Sequence, residues 1–370
     1  MNRQKHKRII ISGGGTGGHV FPAISVANAL RRIDQEIEIL FVGAEGRMEM
    51  EKVPSAGYKI VGLPVSGFKR SFSPENISVL YKLIKSLFLA KKIIEEFRPD
   101  VVVGVGGYAS GPVLKQAGRM GIPTLIQEQN SYAGVTNKLL AKKASVICVA
   151  YDDMDKYFPA EKIIKTGNPV RQNFDHLENM RNEALKFFRL KNDIPVILVL
   201  GGSLGAGTIN KSLSENIQKM VDSGYQWLWQ TGKQYYENIK AQVSSFSGEN
   251  ISVQSFINRM DYAFSAADII ISRAGAGTIS ELCLVGKPVI LVPSPNVAED
   301  HQTKNALAVS YKNAALIVHD DEALKHLTDV AIKLVSDKEE RAFLSANILQ
   351  MADRDADVRI AKEILKLAGG

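Results

Sequence analysis

One stretch of the sequence has the residue types of an anion-binding site. A buried strand is predicted at 269–272, and small residues at 275–278 follow it at the start of a helix. Backbone N–H groups at a helix N-terminus have no partner within the helix, and the helix dipole favours an anion beside them. The stretch therefore predicts a phosphate site, although a tight turn without a ligand has the same pattern.

Glu281 adds a second chemical group, one turn into that helix. A carboxylate there can accept hydrogen bonds from both hydroxyls of a ribose whose phosphates lie on the turn. The alternative is a solvated carboxylate on the helix surface. After a further predicted strand at 287–293, a polar loop holds Asp300, His301 and Gln302. We expect this loop to reach the sugar of a nucleotide sugar.

A second glycine-rich loop, at 13–19, lies between a predicted strand at 8–12 and a predicted helix at 22–32. It contains the Gly-x-Gly-x-x-Gly spacing of dinucleotide-binding proteins, but the next strand, at 37–42, ends in glycine instead of the acid that binds the ribose of NAD. An NAD-dependent dehydrogenase is therefore disfavoured. His19 projects from the loop, either as a structural side chain or as a group that acts on a bound substrate.

Two more strands of the same half end in glycine-rich or polar loops. Their chemically interesting residues are Gly106, Gly107, Tyr108, Glu128 and Asn130. Loops that follow strands gather at one edge of a right-handed parallel sheet. We therefore expect His19, Glu128 and Asn130 to lie at the same edge, where they could handle a sugar hydroxyl.

The same order of elements occurs twice in the chain. A strand at 196–200, a glycine-rich loop at 201–207 and a helix through Met220 repeat the organisation of the first residues. A chain of 370 residues also exceeds what one core usually covers. We predict an α/β protein of two facing, doubly wound, Rossmann-like domains, the first at 1–166 and the second at 167–353.

The composition indicates a globular protein with an anionic partner. Hydrophobic residues make up 45% and charged residues 23% of the chain, and the formal net charge is +7. The partner could be a phosphorylated substrate, an acidic membrane face or a nucleic acid. The positive charges interleave with apolar residues and lack an aromatic platform, which disfavours a nucleic-acid-binding protein.

The cysteines and the first residues bear on the compartment. Cys148 and Cys283 lie in separate apolar segments, so we expect two buried thiols in a reducing compartment, without a disulfide framework or zinc spacing. The apolar stretch after the basic residues 3–8 is too short for a signal peptide or a membrane span. We expect the protein to stay in the cytoplasm.

A predicted helix at 73–97 has an unusual face, on which apolar residues recur at helical spacing and lysines interleave with them. The two sets are Leu80, Leu83, Ile84, Leu87 and Phe88, and Lys82, Lys85, Lys91 and Lys92. An amphipathic helix packed on the sheet explains most of the pattern. With Phe68, Lys69 and Arg70 just before it, part of this surface could instead rest on an anionic bilayer.

Several motifs occur together and in a specific order. They are Gly-Gly-Gly-Thr-Gly-Gly-His-Val-Phe-Pro-Ala at 13–23, Gly-Gly-Tyr at 106–108, Glu-Gln-Asn at 128–130, Gly-Asn-Pro-Val-Arg at 167–171, Gly-Gly-Ser at 201–203 and Ser-Arg-Ala-Gly-Ala at 272–276. In this order they resemble the MurG family of peptidoglycan synthesis, over essentially the whole chain. That family transfers N-acetylglucosamine from its UDP derivative to undecaprenyl-diphospho-N-acetylmuramoyl-pentapeptide, which converts lipid I to lipid II.

The resemblance implies a glycosyltransferase of the B-type fold, whose last helix, here within 354–370, crosses back to the first domain. The first domain would take the lipid-linked acceptor and meet the membrane, and the second would bind UDP-N-acetylglucosamine. The enzyme would be peripheral, on the cytoplasmic face of the cell membrane, and would serve cell-wall growth, cell shape and cell division. Other cell-wall synthesis proteins are expected partners, and no cofactor is expected.

The family's functional residues carry over to named positions. Thr16, Gly17, Gly18 and Asn130 would lie near the transferred sugar and the diphosphates, with Gly14, Gly15, Gly106, Gly107 and Tyr108 at the acceptor diphosphate. Arg171, Ser203, the Ile257 backbone, Ala276, Gly277, Thr278, Ile279, Ser280, Glu281 and Gln302 would hold UDP-N-acetylglucosamine. Some members have two adjacent glutamines where this chain has Gln302 and Thr303, and some are bulkier at position 277.

The resemblance also implies direct attack of the acceptor hydroxyl on the anomeric carbon, with inversion of configuration. Such a step needs one base and one stabiliser of the departing diphosphate. The helix N-terminus at 276–278, with Arg171 nearby, could serve the leaving group without a metal. His19 is the first choice of base, because imidazole titrates near neutral pH, and Glu128 is the second.

Two alternatives use the same fold. A nucleotide-sugar epimerase would need no lipid acceptor surface, and a noncatalytic sugar-nucleotide-binding subunit would have no reason for a polar cluster around His19. Asp353, Asp355 and Asp357 have the spacing of a metal-binding run, but we attribute them to capping of the last helix, where acids are favoured by the dipole. We therefore expect no divalent metal requirement.

Overall fold

The computed structural model describes residues 6–66, 75–170, 174, 176–202, 205–246, 249–297 and 300–369. The chain divides into two compact units, Met1–Arg171 with Asp353–Gly370, and Gln172–Ala352. Each unit is built on one parallel sheet with helices packed against it. Of the residues singled out above, those that lie outside the described residues are Phe68, Lys69, Arg70, Ser73, Arg171 and Ser203.

The first unit contains a parallel sheet of seven strands among its described residues. They are β1 (Arg8–Ser12), β2 (Glu38–Ala44), β3 (Lys59–Leu63), β4 (Val101–Gly104), β5 (Thr124–Glu128), β6 (Val146–Val149) and β7 (Ile163–Lys165). The strand order is β3-β2-β1-β4-β5-β6-β7, so the winding reverses between β1 and β4. Ligands of doubly wound sheets bind at such a switch point, outside the carboxyl ends of the strands.

Helices cover both faces of this sheet. They are α1 (Gly17–Ile33), α2 (Glu49–Ser55), α3 (Glu75–Phe97), α4 (Ser110–Arg119), α5 (Val135–Leu140) and, at the end of the chain, α15 (Ala356–Leu367). Ile360 and Ile364 of α15 are buried in the same core as Val26 and Leu30 of α1. The central strands β1 and β4 are each built on three consecutive apolar residues because both of their faces are buried.

The second unit repeats the arrangement, with six parallel strands among its described residues. They are β8 (Val196–Leu200), β9 (Gln226–Gln230), β10 (Ile251–Gln254), β11 (Ile269–Ser272), β12 (Val289–Leu291) and β13 (Leu316–Ile317), in the order β10-β9-β8-β11-β12-β13. The switch point lies between β8 and β11. The helices are α6 (Arg181–Phe188), α7 (Gly207–Ser214), α8 (Ile217–Asp222), α9 (Tyr236–Ser244), α10 (Met260–Ala266), α11 (Ala276–Val285), α12 (His301–Ser310), α13 (Ala323–Ser336) and α14 (Lys338–Leu349).

Two predicted helices differ from those observed. Helix α1 begins at Gly17, five residues before the predicted start, because Pro22 lies inside the helix instead of in its first turn. A proline in the second turn removes only one helical hydrogen bond, and His19 therefore belongs to the helix. The predicted helix through Met220 is broken, because the Asn216 side chain donates to the Ser212 carbonyl at 2.8 Å and ends α7.

The acids near the last helix differ in part from the prediction. Asp355 is the residue that precedes α15, but its side chain makes no capping hydrogen bond. Asp357 instead pairs with Arg32 of α1 at 2.5 Å, and Asp353 pairs with Arg359. Asp357 also accepts from the Val358 N–H group in the first turn of α15 at 2.9 Å. Capping by Asp355 was therefore wrong, whereas Asp357 lies in the first turn as expected, and its ion pair joins α15 to α1.

The two thiols are buried, as predicted. Burial raises the pKa of the Cys148 thiol to about 12, so this group stays protonated at neutral pH. In the ranges that the structure describes, no helix combines the length and the apolar content that a membrane span needs.

Candidate functional site

The loops that follow β1 and β4 pack directly on each other at the first switch point. A Cβ atom at Gly13 would lie 2.3 Å from Val105 Cγ2, and one at Gly107 would lie 2.3 Å from the Gly14 carbonyl oxygen. Gly107 also has a φ of +83°, which side chains other than glycine rarely adopt. These glycines are therefore required for the close approach of two backbones, whether or not a ligand is bound.

A buried carboxylate, which the sequence analysis did not single out, holds the first of these loops. Glu49 is 1% exposed, and its two oxygens accept hydrogen bonds from the Ala44 and Gly15 N–H groups, each at 2.9 Å. Gly43 makes room for this side chain, since a Cβ there would lie 2.6 Å from Glu49 Cγ, a fit that no pattern in the sequence shows. The Gly15 N–H group is directed at Glu49, so Gly15 cannot offer it to a diphosphate in this conformation.

His19 lies in the first turn of α1, half-buried, with its ring held by the same loop. Its Nδ1 atom lies 3.2 Å from the Gly14 carbonyl oxygen and 3.3 Å from Thr16 Oγ1. A carbonyl oxygen can only accept, so Nδ1 carries the proton and Nε2 of the neutral ring has the lone pair. The other side of the ring lies against Gly106, where a Cβ would be 2.8 Å from Nε2.

Glu128 lies at the end of β5 and organises the loop that follows. It is 2% exposed. One oxygen accepts from the backbone and side-chain nitrogens of Asn130, at 3.1 and 3.2 Å, and the other accepts from Gly134 N at 3.0 Å and Asn137 Nδ2 at 2.8 Å. Each oxygen already accepts two hydrogen bonds, so Glu128 would have to lose one of them to accept a proton from a substrate. The geometry therefore favours a role in orienting Asn130 over the role of a base.

The remaining predicted residues of the first unit lie on these loops at the carboxyl edge of the sheet. Thr16 and Gly18 are exposed at the start of α1, and Gly17 is half-buried there. Tyr108 follows β4 and is 57% exposed. The structure thus places the side chains expected for the acceptor on three neighbouring loops, after β1, β4 and β5.

The second switch point is built around the N-terminus of α11. Gly275 precedes the helix in an extended conformation and makes no side-chain capping hydrogen bond. The first hydrogen bond of the helix runs from the Ile279 N–H group to the Gly275 carbonyl, at 2.9 Å. The N–H groups of 276–278 come before it and have no acceptor within the helix. A Cβ at Gly277 would meet no atom within 4 Å. This helix end has the space and the donors that an anion needs.

The two faces of α11 differ in burial. The buried residues are Ala276, Ile279, Leu282 and Cys283. Gly277, Thr278 and Glu281 are half-buried and share one face, since residues three and four apart are neighbours on a helix. Ile279 has its side chain in the core, so it contributes to the fold, while Glu281 lies on the open face beneath the helix end.

Glutamine side chains shape the loops around α11. Gln302 accepts from Ser294 N at 2.9 Å, which orients its amide oxygen toward the loop after β12. Gln230, at the end of β9, accepts from Ile257 N at 3.0 Å and donates to the Gly202 carbonyl at 3.1 Å. Of the Ile257 backbone, which was expected to hold the donor, the N–H group is engaged by Gln230, a residue that was not predicted from the sequence.

An ion pair connects three elements of the same edge. Arg273 donates to the Val292 carbonyl at 3.1 Å and pairs with Asp320. Asp320 in turn accepts from Thr208 Oγ1 at 2.8 Å, at the start of α7. Among the described residues, no three His, Cys, Asp or Glu side chains are grouped as metal ligands, and the expectation that no metal is required stays a prediction.

The chain matches two family models. Residues 9–149 match the glycosyltransferase family 28 N-terminal domain, and residues 196–360 match the glycosyltransferase family 28 C-terminal domain. The first match ends with β6, and the second extends from β8 into α15. Together they include the glycine-rich loops of both units.

Two relatives are similar over nearly their whole length. A Parabacteroides distasonis protein named UDP-N-acetylglucosamine--N-acetylmuramyl-(pentapeptide) pyrophosphoryl-undecaprenol N-acetylglucosamine transferase is 59% identical, over 97% of this chain and 98% of that protein. A protein of the same name from Phocaeicola vulgatus is 59% identical, over 99% of this chain and 97% of that protein. The crystal structure of Acinetobacter baumannii MurG aligns with a TM-score of 0.77 and 29% identity, over 97% of this chain and 99% of that chain.

These similarities extend through both units, and they agree with the two switch points described above. The B-type glycosyltransferase fold expected from the sequence is confirmed, and so is the resemblance of the motifs to a known family. Because its identity to named members is high and covers almost the entire length of both chains, this chain belongs to the MurG family of glycosyltransferases.

Proposed function

We propose that the protein transfers N-acetylglucosamine from UDP-N-acetylglucosamine to undecaprenyl-diphospho-N-acetylmuramoyl-pentapeptide, with inversion at the anomeric carbon. The observation that carries the proposal is the 59% identity, over almost the full length, to a transferase named for this reaction. The family supports a transferase over an epimerase or a noncatalytic subunit. The reaction converts lipid I to lipid II in peptidoglycan synthesis.

The second unit would bind the donor. The N–H groups of 276–278 would hold the diphosphate, which gains negative charge as UDP departs, and the dipole of α11 favours that charge. Glu281, on the open face of the same helix, would accept from the ribose hydroxyls. The amide oxygen of Gln302 holds Ser294, which leaves its NH2 group as the one to meet the sugar. The family resemblance adds Arg171 and Ser203 as further candidates for donor binding, and both lie outside the described residues.

The first unit would bind the acceptor and supply the base. Nε2 of His19 takes the proton of the acceptor hydroxyl, and the resulting oxygen attacks C1 of the sugar from the side opposite UDP. The bond between C1 and the diphosphate oxygen breaks, and UDP leaves with the electron pair. The glycine-rich loops, Thr16 and Tyr108 would surround the acceptor diphosphate.

The test is incubation of the purified protein with UDP-N-acetylglucosamine, with and without a short-chain lipid I analogue. We expect UDP release that depends on the analogue, a β-linked disaccharide product, and the same rate in EDTA. Sugar epimerisation without an acceptor would support the epimerase instead. A rate lost in EDTA and restored by magnesium would contradict the proposed stabilisation of the leaving group by α11.

We also propose that α3 rests on the anionic cytoplasmic face of the cell membrane. Its large exposed apolar side chains are Leu80, Tyr81, Ile84 and Phe88, with exposures of 51%, 68%, 47% and 71%. Lys85, Lys91 and Lys92 are exposed on the same helix, while Ala90 and Ile94 are buried in the core beneath it. Exposed apolar side chains beside lysines suit a bilayer that carries negative charge. Lys91 and Lys92 also pair with Glu95 and Glu96 on this helix, which leaves Lys85 as the lysine of this set that has no acidic partner among the described residues.

Vesicle sedimentation tests this surface. We expect binding to vesicles that contain anionic lipid, weaker binding as salt increases, and a large loss in the double variant Ile84→Ser, Phe88→Ser. Tyr311→Ser, which removes an 81% exposed ring from the second unit, is the matched control. Equal binding of the double variant and the control would show that α3 is not the membrane surface.

A further inference from the structure

We propose that Glu49 is a positioning residue, which acts through one peptide group to hold His19 in the tautomer that can accept a proton. The inference rests on the proposed function only in assigning that proton to the acceptor hydroxyl. Glu49 does not contact His19. The connection between them is the peptide that joins Gly14 to Gly15, since its N–H group and its carbonyl make both of the contacts involved.

The Glu49 side chain uses both of its oxygens as hydrogen-bond acceptors. Both oxygens accept from backbone N–H groups, of Ala44 and of Gly15, and the side chain is 1% exposed. A protonated oxygen would direct an O–H group at one of these donors. Hydrogen bonds to an ionised acceptor are stronger than those between neutral groups, so the Gly15 N–H group is firmly oriented.

The backbone packs closely against the carboxylate at two glycines. A Cβ at Gly14 would lie 2.1 Å from Glu49 Oε1, and one at Gly43 would lie 2.6 Å from Glu49 Cγ. Two glycines therefore allow the chain to lie directly on this side chain. The Gly14 φ of +147° is within the range that favours glycine.

A trans peptide is planar, and its N–H and C=O groups point in opposite directions. When Glu49 fixes the Gly15 N–H group, the Gly14 carbonyl is directed to the other side, where it lies 3.2 Å from His19 Nδ1. A chain of hydrogen bonds also polarises its members, which makes this carbonyl a better acceptor. The carboxylate thus orients the imidazole as in a catalytic triad, with a peptide inserted between them.

The ring cannot easily rotate to exchange its two nitrogens. Thr16 Oγ1 lies 3.3 Å from Nδ1 on one side, and Gly106 packs against Nε2 and Cδ2 on the other. The proton therefore stays on Nδ1 as long as the Gly14 carbonyl is held in place. In this tautomer the lone pair of the ring is on Nε2, the atom to which the proposed function assigns the proton of the acceptor hydroxyl.

The decisive variant is Glu49→Gln, which keeps the shape but places an NH2 group against one of the two N–H donors. Proton-nitrogen correlation spectra of histidine-labelled protein, at a pH where the ring is neutral, report which ring nitrogen carries the proton. His19 is assigned by the signal that disappears in His19→Gln. We expect Nδ1–H in the wild type and a mixture with Nε2–H in Glu49→Gln.

Asp357→Asn is the matched control, because it also neutralises a buried carboxylate of the first unit. Asp357 pairs with Arg32, whereas Glu49 binds the glycine-rich loop. It should leave the His19 tautomer unchanged. If Glu49→Gln does not fold, Glu49→Asp replaces it, since the shorter side chain withdraws its oxygens from the loop. An unchanged tautomer in the folded Glu49 variant, or Nε2–H in the wild type, would overturn the proposal.

Kinetics separate this proposal from the proposed function. Glu49→Gln should lower kcat roughly tenfold or more with little change in the KM for UDP-N-acetylglucosamine, as for a group that acts only on the reacting step. Wild-type protein that has the Nδ1–H tautomer but no transferase activity would refute the function and leave the positioning by Glu49 standing. Normal kcat in a Glu49→Gln variant with an altered tautomer would refute the catalytic part of the proposal.

Discussion

Both units reverse their strand order beside their first strand, between β1 and β4 in one and between β8 and β11 in the other, and both place glycines there. In the first unit, Gly13 and Gly107 are glycine because a side chain would overlap the neighbouring loop. In the second, Gly277 opens onto free space. At these positions glycine has two different environments, close packing against the neighbouring loop at Gly13 and Gly107 and open space at Gly277.

The available hydrogen-bonding groups differ in the same way. At the first switch point the Gly15 N–H group is engaged by Glu49, and the His19 ring lies against the same loop. At the second, α11 begins without a side-chain cap, so its first N–H groups can bind an anion. We infer that the first switch point is built for proton transfer and the second for the donor diphosphate.

The largest expected effect is that of His19→Ala. Removal of the proposed base should lower kcat by roughly a hundredfold or more, while the affinity for UDP should stay the same because the proposed donor site belongs to the other unit. Steady-state turnover and UDP titration measure the two quantities. His176→Ala removes an exposed imidazole of the second unit as the control, and normal turnover in His19→Ala would rule out this base.

Gly107→Ala tests the packing explanation. The methyl group would overlap the Gly14 carbonyl, and the backbone at φ +83° would be strained, so the free energy of unfolding of the first unit should fall by roughly 2 to 4 kcal/mol. Thermal unfolding measures the change. A midpoint equal to that of the wild type would mean that the two loops can separate at little cost.

Glu281→Ala tests the donor side of the comparison. Loss of the carboxylate should weaken UDP binding by roughly 1 to 3 kcal/mol, because the ribose hydroxyls lose their acceptor. Calorimetric titration measures the affinity, with Glu339→Ala, an exposed helical carboxylate of the same unit, as the control. Equal UDP affinities in the two variants would show that Glu281 does not bind the ribose.

The smallest expected effect is that of Gly277→Ala on stability. A methyl group would enter open space on a helix, and alanine is favoured over glycine there by about 0.5 to 1 kcal/mol. The unfolding temperature of the second unit should therefore stay the same or increase slightly. A clear decrease would show that Gly277, like Gly107, is required for packing, and the contrast between the two switch points would disappear.

Much of the fold could be predicted from local sequence patterns. The apolar runs that became β1, β4, β8 and β11 are short, rich in branched residues and followed by glycine, which is typical of buried parallel strands. The predictions were poorer where one side chain competes with the backbone. Pro22 did not mark the start of α1, and Asn216 broke a helix whose apolar pattern continues.

The sequence by itself determined the two glycine-rich units, the family, and the candidates His19 and Glu281, because motif spacing and hydrophobic periodicity are properties of neighbours along the chain. Only the tertiary structure decided which polar groups are already engaged. Glu49 lies 34 residues from Gly15 along the chain and 2.9 Å from it in space. Glu128 is a better candidate base in the sequence than in the structure, where four donors surround it. Hydrogen-bond partners depend on distances that only folding creates, which is why these two carboxylates could not be assigned beforehand.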